Sequence, residues 1–95
     1  MFDVVPISDA TDGGVRKAAF LTCGAVCSRR IDIEMEGDTV TRVSYTGGCH
    51  GNTQGIGALV VGMKKDDIIA RLEGIDCKGR GTSCPDQLAR ALKML

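Results

Sequence analysis

The sequence predicts an α+β fold, with a small antiparallel sheet of about three strands followed by two or three helices packed on one face. Three observations predict it. Residues 27–36 alternate strictly, with Ile31, Ile33 and Met35 on one side and Arg30, Asp32, Glu34 and Glu36 on the other, the period of a strand with one wet face. The C-terminal stretch opens with Ser83-Cys84-Pro85-Asp86 and continues with Leu88, Ala91, Leu92 and Leu95 at helical spacing. The strand patterns all precede the helical ones, which places the helices together against one side of the sheet.

Taken in order, residues 1–16 hold Pro6, Ser8, Asp9, Thr11, Asp12 and a Gly13-Gly14 pair without sustained periodicity. They read as a flexible N-terminal arm, and 17–95 as the folded domain. Residues 17–22 are expected as an edge strand, broken by Gly24. After the strand over 27–36, Gly37-Asp38 signals a tight turn, and 39–46 supplies the return strand of a hairpin. The spacing of Val40, Val43 and Tyr45 skips a beat, which predicts a bulge or a twist.

Beyond the Gly47-Gly48-Cys49-His50-Gly51 loop, Asn52 is the expected cap of a helix carrying Ile56, Leu59, Val60 and Met63. Gly55 and Gly57 each lower its propensity by about 1 kcal/mol relative to Ala. Glycines there imply close approach, either of the helix to the sheet or of a ligand. Asp66 or Asp67 should cap a short helix through Leu72, closed by Gly74. Residues 74–81 form a glycine-studded loop carrying Cys77. Ser83 or Cys84 then caps the last helix, with Pro85 in its first turn and Asp86 in a capping-box-like position.

Composition narrows the function. Ninety-five residues with twelve Lys+Arg against twelve Asp+Glu carry no net charge, which argues against general affinity for nucleic acid or an anionic membrane. One Tyr, two Phe and no Trp offer no stacking platform for bases. The apolar runs are short of the roughly 20 residues of a membrane span, and the N-terminus lacks a basic-then-apolar pattern. A cytoplasmic protein is the expectation.

Five cysteines, at 23, 27, 49, 77 and 84, are many for a reducing compartment, where they point to metal binding or thiol chemistry rather than disulfides. In a hairpin the start of one strand lies beside the end of the next, so Cys27 and Cys49 are expected at one edge of the sheet. A last helix packed antiparallel would bring Cys84 to that edge, with Cys77 on the flanking loop. Cys27, Cys49, Cys77 and Cys84 are therefore the candidate metal ligands, for Zn²⁺ or an iron–sulfur cluster. Thiol exchange and inert packing cysteines are the competing readings. Cys23 reads as a half-buried thiol, and His50 as a solvated loop residue or a substitute for one thiol. No nucleophile-base pair is present, and no catalytic residue is assigned.

The run Thr82-Ser83-Cys84-Pro85-Asp86 resembles the signature of the TSCPD domain family. The stretch 24–28, Gly47-Gly48-Cys49-x-Gly51-Asn52, Gly62-Met63 and Gly74-Ile75-x-Cys77 fit its small stand-alone members, over roughly residues 20–92. Similar domains occur at the C-terminal end of adenosylcobalamin-dependent ribonucleotide reductases. The resemblance therefore implies an accessory or partner module of such an enzyme, since the chain has no room for the reductase's own barrel. The order of elements also resembles U-type iron–sulfur cluster scaffolds, whose three ligand cysteines fall on Cys27, Cys49 and Cys84. Where that scaffold has Asp, this chain has Arg29.

Overall fold

The computed structural model describes residues 3–23, 26, 28–47, 50–76, 79 and 81–95, and of 50–52 the backbone alone. Four strands, β1 (Val5–Asp12), β2 (Val15–Leu21), β3 (Ser28–Glu36) and β4 (Thr39–Gly47), form one sheet in sequential order with every neighbour antiparallel. Three helices follow, α1 (His50–Val60), α2 (Lys65–Leu72) and α3 (Cys84–Lys93). The class is the expected α+β plan, with one strand more. Among the described residues, no helix is long and apolar enough to cross a membrane.

The additional strand corrects the reading of 1–16 as an arm without regular structure. β1 pairs with β2 from Val5↔Leu21 to Asp12↔Val15. Gly13 and Gly14, both at positive φ (59° and 84°), form the two-residue turn that favours glycine at both central positions. All eight β1 residues are exposed, so the strand has no apolar face to announce itself. Its backbone hydrogen bonds, with a side-chain pair from Arg16 of β2 to the Asp9 carboxylate at 2.6 and 2.9 Å, hold it to the sheet. As a result β2 is an interior strand, not the edge strand expected for 17–22, and its Ala18, Ala19 and Phe20 are buried.

β3 behaves as its pattern requires. Ile31, Ile33 and Met35 are buried, while Arg30 and Asp32 form an ion pair among the exposed and half-buried side chains opposite. The skipped beat in β4 is a register shift in which Glu34 pairs with Arg42 and Met35 with Val40, leaving Thr41 over. That bulge returns Val40 to the core, where it is fully buried. One apolar cluster joins Phe20, Ile31, Ile33, Met35 and Val40 to Val60 of α1, Ile68 of α2, and Leu88, Ala91 and Leu92 of α3.

α1 starts at His50, ahead of the expected Asn52 cap. α2 starts after Lys64, whose side chain makes no capping bond, rather than at Asp66 or Asp67. Asp66 and Asp67 instead occupy the first turn, where their charge complements the helix dipole.

The two α1 glycines separate. A Cβ on Gly57 would stand 2.7 Å from the Val43 carbonyl oxygen, whereas one on Gly55 would meet nothing within 4 Å. Gly57 thus serves close packing of helix on strand. Gly57→Ala is expected to destabilise by about 1–2 kcal/mol, overpacking outweighing the helix-propensity gain. Gly55→Ala is expected to stabilise by up to about 1 kcal/mol. Thermal melts of the two variants should shift in opposite directions, and shifts of the same sign would contradict the packing argument.

Candidate metal centre

The start of α3 is assembled from side chains that all have assigned tasks. Ser83 is the N-cap with an extended backbone (φ −155°), and its hydroxyl accepts from the Asp86 N–H at 3.1 Å. The same hydroxyl donates to the Ile75 carbonyl at 2.6 Å, drawing the 74–81 loop onto the helix start. Pro85 sits in the first turn, where no N–H is needed.

Asp86 does not close a reciprocal capping box. Its carboxylate accepts from the Thr82 hydroxyl at 2.5 Å, Arg90 Nε at 2.8 Å and the Gly74 N–H at 2.8 Å. It is 1% exposed. Burial by itself would raise the carboxyl, but the Thr82 hydroxyl, the Arg90 guanidinium and the Gly74 N–H outweigh that and hold it below the ordinary carboxylate value.

Gln87 is fully buried. Its Oε1 accepts from the Cys23 N–H at 2.9 Å and its amide nitrogen donates to the Thr82 hydroxyl at 3.1 Å. Thr82, Asp86 and Gln87 therefore form one buried network, with one arm to the 74–81 loop and one to the segment after β2. Within the 74–81 loop, Asp76 accepts from the Gly79 and Gly81 N–H groups at 2.6 and 2.5 Å.

Cys84 is the first residue of α3 and is half-buried, as a free thiol. Its Sγ lies 3.2 Å from the buried Ser28 hydroxyl, at the first residue of β3. Its carbonyl accepts from the Tyr45 hydroxyl at 3.1 Å. Burial first, and then the negative charge of a Cys84 thiolate, push the Tyr45 phenol well above its ordinary value, so it remains a hydrogen-bond donor. Ser28 is the cross-strand partner of Gly47, the last residue of β4. The start of β3, the end of β4 and the start of α3 thus meet at one rim of the sheet.

Of the four candidate ligands, Cys84 stands at this rim, while Cys27, Cys49 and Cys77 lie outside the described residues. Gly24 and the side chain of His50 lie outside them too. Of the described residues close to them in sequence, Ser28 follows Cys27, Gly47 stands two before Cys49, and Asp76 precedes Cys77. Ser28 touches Cys84, Gly47 is paired with Ser28, and the residue before Asp76 is bonded to the α3 cap. Among the described residues, no three or more His, Cys, Asp and Glu side chains form a group able to hold a metal ion. Cys23 is half-buried, as expected.

The residues that sequence reasoning missed are Ser28, Tyr45, Thr82 and Gln87. One signal was available, a dense polar run at a helix start immediately before an apolar stripe. The partners of Ser28, of Tyr45 and of the Gln87 carbonyl oxygen are distant in sequence, and nothing local reveals them. Asp86 was read only as a cap.

A family model described as the TSCPD domain matches residues 9–95. No curated protein and no solved structure matches the chain. The matched span runs from within β1 through α3 and includes all five cysteines as well as the polar network at the helix start. The chain belongs to the TSCPD domain family.

Proposed function

We propose that this chain is a non-catalytic, cysteine-rich metal-binding module, with Zn²⁺ or an iron–sulfur cluster held by Cys27, Cys49, Cys77 and Cys84, that serves a larger enzyme such as a ribonucleotide reductase. The observation that carries the reading is Cys84. It is a half-buried thiol at a helix start, touching the first residue of β3, while the other side chains of its motif are consumed in holding the surrounding segments. The thiolate is the form that binds metals, and a half-buried, reachable thiol releases its proton when an ion is captured. A motif that locks three chain segments around one thiol is what a structural thiolate site requires of its outer shell.

The donor chemistry favours Zn²⁺ over a labile cluster. Arg29, in the position where U-type scaffolds have Asp, is exposed beside Ser28. A cation there supplies no carboxylate for cluster release. The reductase connection rests on the resemblance to domains found at the C-terminal end of those enzymes.

Metal analysis of protein purified without chelator tests the reading. About one equivalent of Zn plus Fe per chain is expected, and thiolate-to-iron absorbance in the visible would identify a cluster. A content far below one equivalent after anaerobic reconstitution would assign the cysteines to packing instead. Co-purification of a ribonucleotide reductase with the tagged chain is expected, and its absence under conditions that retain the metal would remove the partner.

A further inference from the structure

We propose that Cys23 and Cys84 form a paired dithiol, a site for a soft, thiophilic ion, with Cys23 filling one of the four thiolate positions of the centre assigned above. Two separate tethers bring the residues together. The first runs through α3. Gln87 lies one helical turn beyond Cys84, is fully buried, and accepts from the Cys23 N–H at 2.9 Å. Its own amide nitrogen is anchored on Thr82 at 3.1 Å, so the Cys23 backbone is fixed to the first turn of the helix that begins with Cys84.

The second tether runs through β3. The Thr22 hydroxyl donates to the Ser28 carbonyl at 2.5 Å, and the Thr22 N–H donates to the Arg29 carbonyl at 3.0 Å. The Ser28 hydroxyl in turn lies 3.2 Å from Cys84 Sγ. The residue before Cys23 is therefore bonded to the residue that touches Cys84. Both thiols are free and half-buried, partly desolvated yet reachable, the setting in which thiolates select soft ions. Gln87 acts as a positioning residue, through the backbone of Cys23.

Capture of a divalent ion forms two sulfur–metal bonds and releases the two thiol protons, with no change of oxidation state. What the pair holds in the cell rests on the metal-binding reading. The proposed pairing of the two sulfurs does not, and it is tested separately.

Phenylarsine oxide condenses with two adjacent thiols, its oxygen leaving as water with both thiol protons. Full-length, reduced, metal-free protein, held at a temperature where circular dichroism shows it folded, would be treated with one equivalent, digested and mapped by mass spectrometry. A Cys23–Cys84 bridge is expected as the dominant product. Bridging of Cys84 to another cysteine, or no bridge, would overturn the pair. In parallel, Cys23→Ser is expected to lower Co²⁺ affinity by about tenfold or more, and unchanged affinity in a protein that binds Co²⁺ would remove Cys23 from the centre. A Cys23–Cys84 bridge in a chain that takes up no Co²⁺ would uphold the dithiol and sink the metal-binding function instead.

Discussion

Asp86→Ala is expected to cost about 2–4 kcal/mol of unfolding free energy at pH 7, read by urea denaturation. The carboxylate is buried and accepts three hydrogen bonds, from Thr82, Arg90 and Gly74. Removing it leaves the buried Thr82 hydroxyl without its receiver, worth about 1–3 kcal/mol, while the N–H of the exposed Gly74 exchanges this acceptor for water. Arg90 is 32% exposed and regains water, which keeps the cost below that of a fully buried broken pair.

The effect carries a pH signature. Asp86 titrates lower in the folded state than in the unfolded chain, where Asp lies near about 3.9. Between the two values the unfolded chain binds more protons, so stability rises with pH across that window. The Asp86 contribution is thus complete above about pH 4–5 and is lost as pH falls through the folded value. Asp86→Asn keeps the shape without the charge, and its deficit against the parent chain should narrow between pH 7 and pH 3. An equal deficit at both would show that the charge at this position does not matter to folding.

Cys84→Ser is expected to lower metal content and stability together, with Cys49→Ser behaving alike. A Ser hydroxyl does not ionise at neutral pH and is a hard, weak donor in place of a soft thiolate. Apparent free energies of structural zinc binding in small domains are about 10–16 kcal/mol, all of it coupled to folding. Losing one ligand should cost several kcal/mol, or upwards of about 10 °C in melting temperature for a domain of this size. The control is the parent chain stripped by chelator, which should melt close to the variant, because the thiol contributes mainly through the metal. Equal metal content and equal melting temperature in parent and variants would eliminate this ligand set.

The two substitutions probe different layers of one arrangement. Cys84 supplies the half-buried thiol. Asp86 and the neighbouring Thr82, Ser83 and Gln87 fix the segments around it: the 74–81 loop through Gly74 and Ile75, and the segment after β2 through the Cys23 N–H. The signature of the family is, in this chain, one thiol and its scaffold written in consecutive residues.

Elements with a periodic cause were legible in the chain. The alternation of Ile31, Ile33 and Met35 with charged residues placed β3 and its buried side. The Ser83 cap and the stripe of Leu88, Ala91 and Leu92 placed α3, and the missed beat after Val40 marked the bulge. Burial repeating every second or every third to fourth residue is a local record of a nonlocal core, so a single strand or helix carries it alone. β1 left no such record. It is an edge strand exposed along its whole length, joined to β2 by backbone bonds and a glycine turn, and only pairing distinguished it from an arm. The interior place of β2 follows from β1 and was hidden for the same reason.

At the thiol rim the division is equally physical. Residue identity nominated Cys84 and its helix start, because capping chemistry is local. The tertiary structure decided that Ser28 touches its sulfur, that Tyr45 holds its carbonyl, and that a fully buried glutamine reaches across 64 positions to the Cys23 backbone. Directional bonds between remote segments obey no period along the chain, so only the folded arrangement reveals which polar groups are partners.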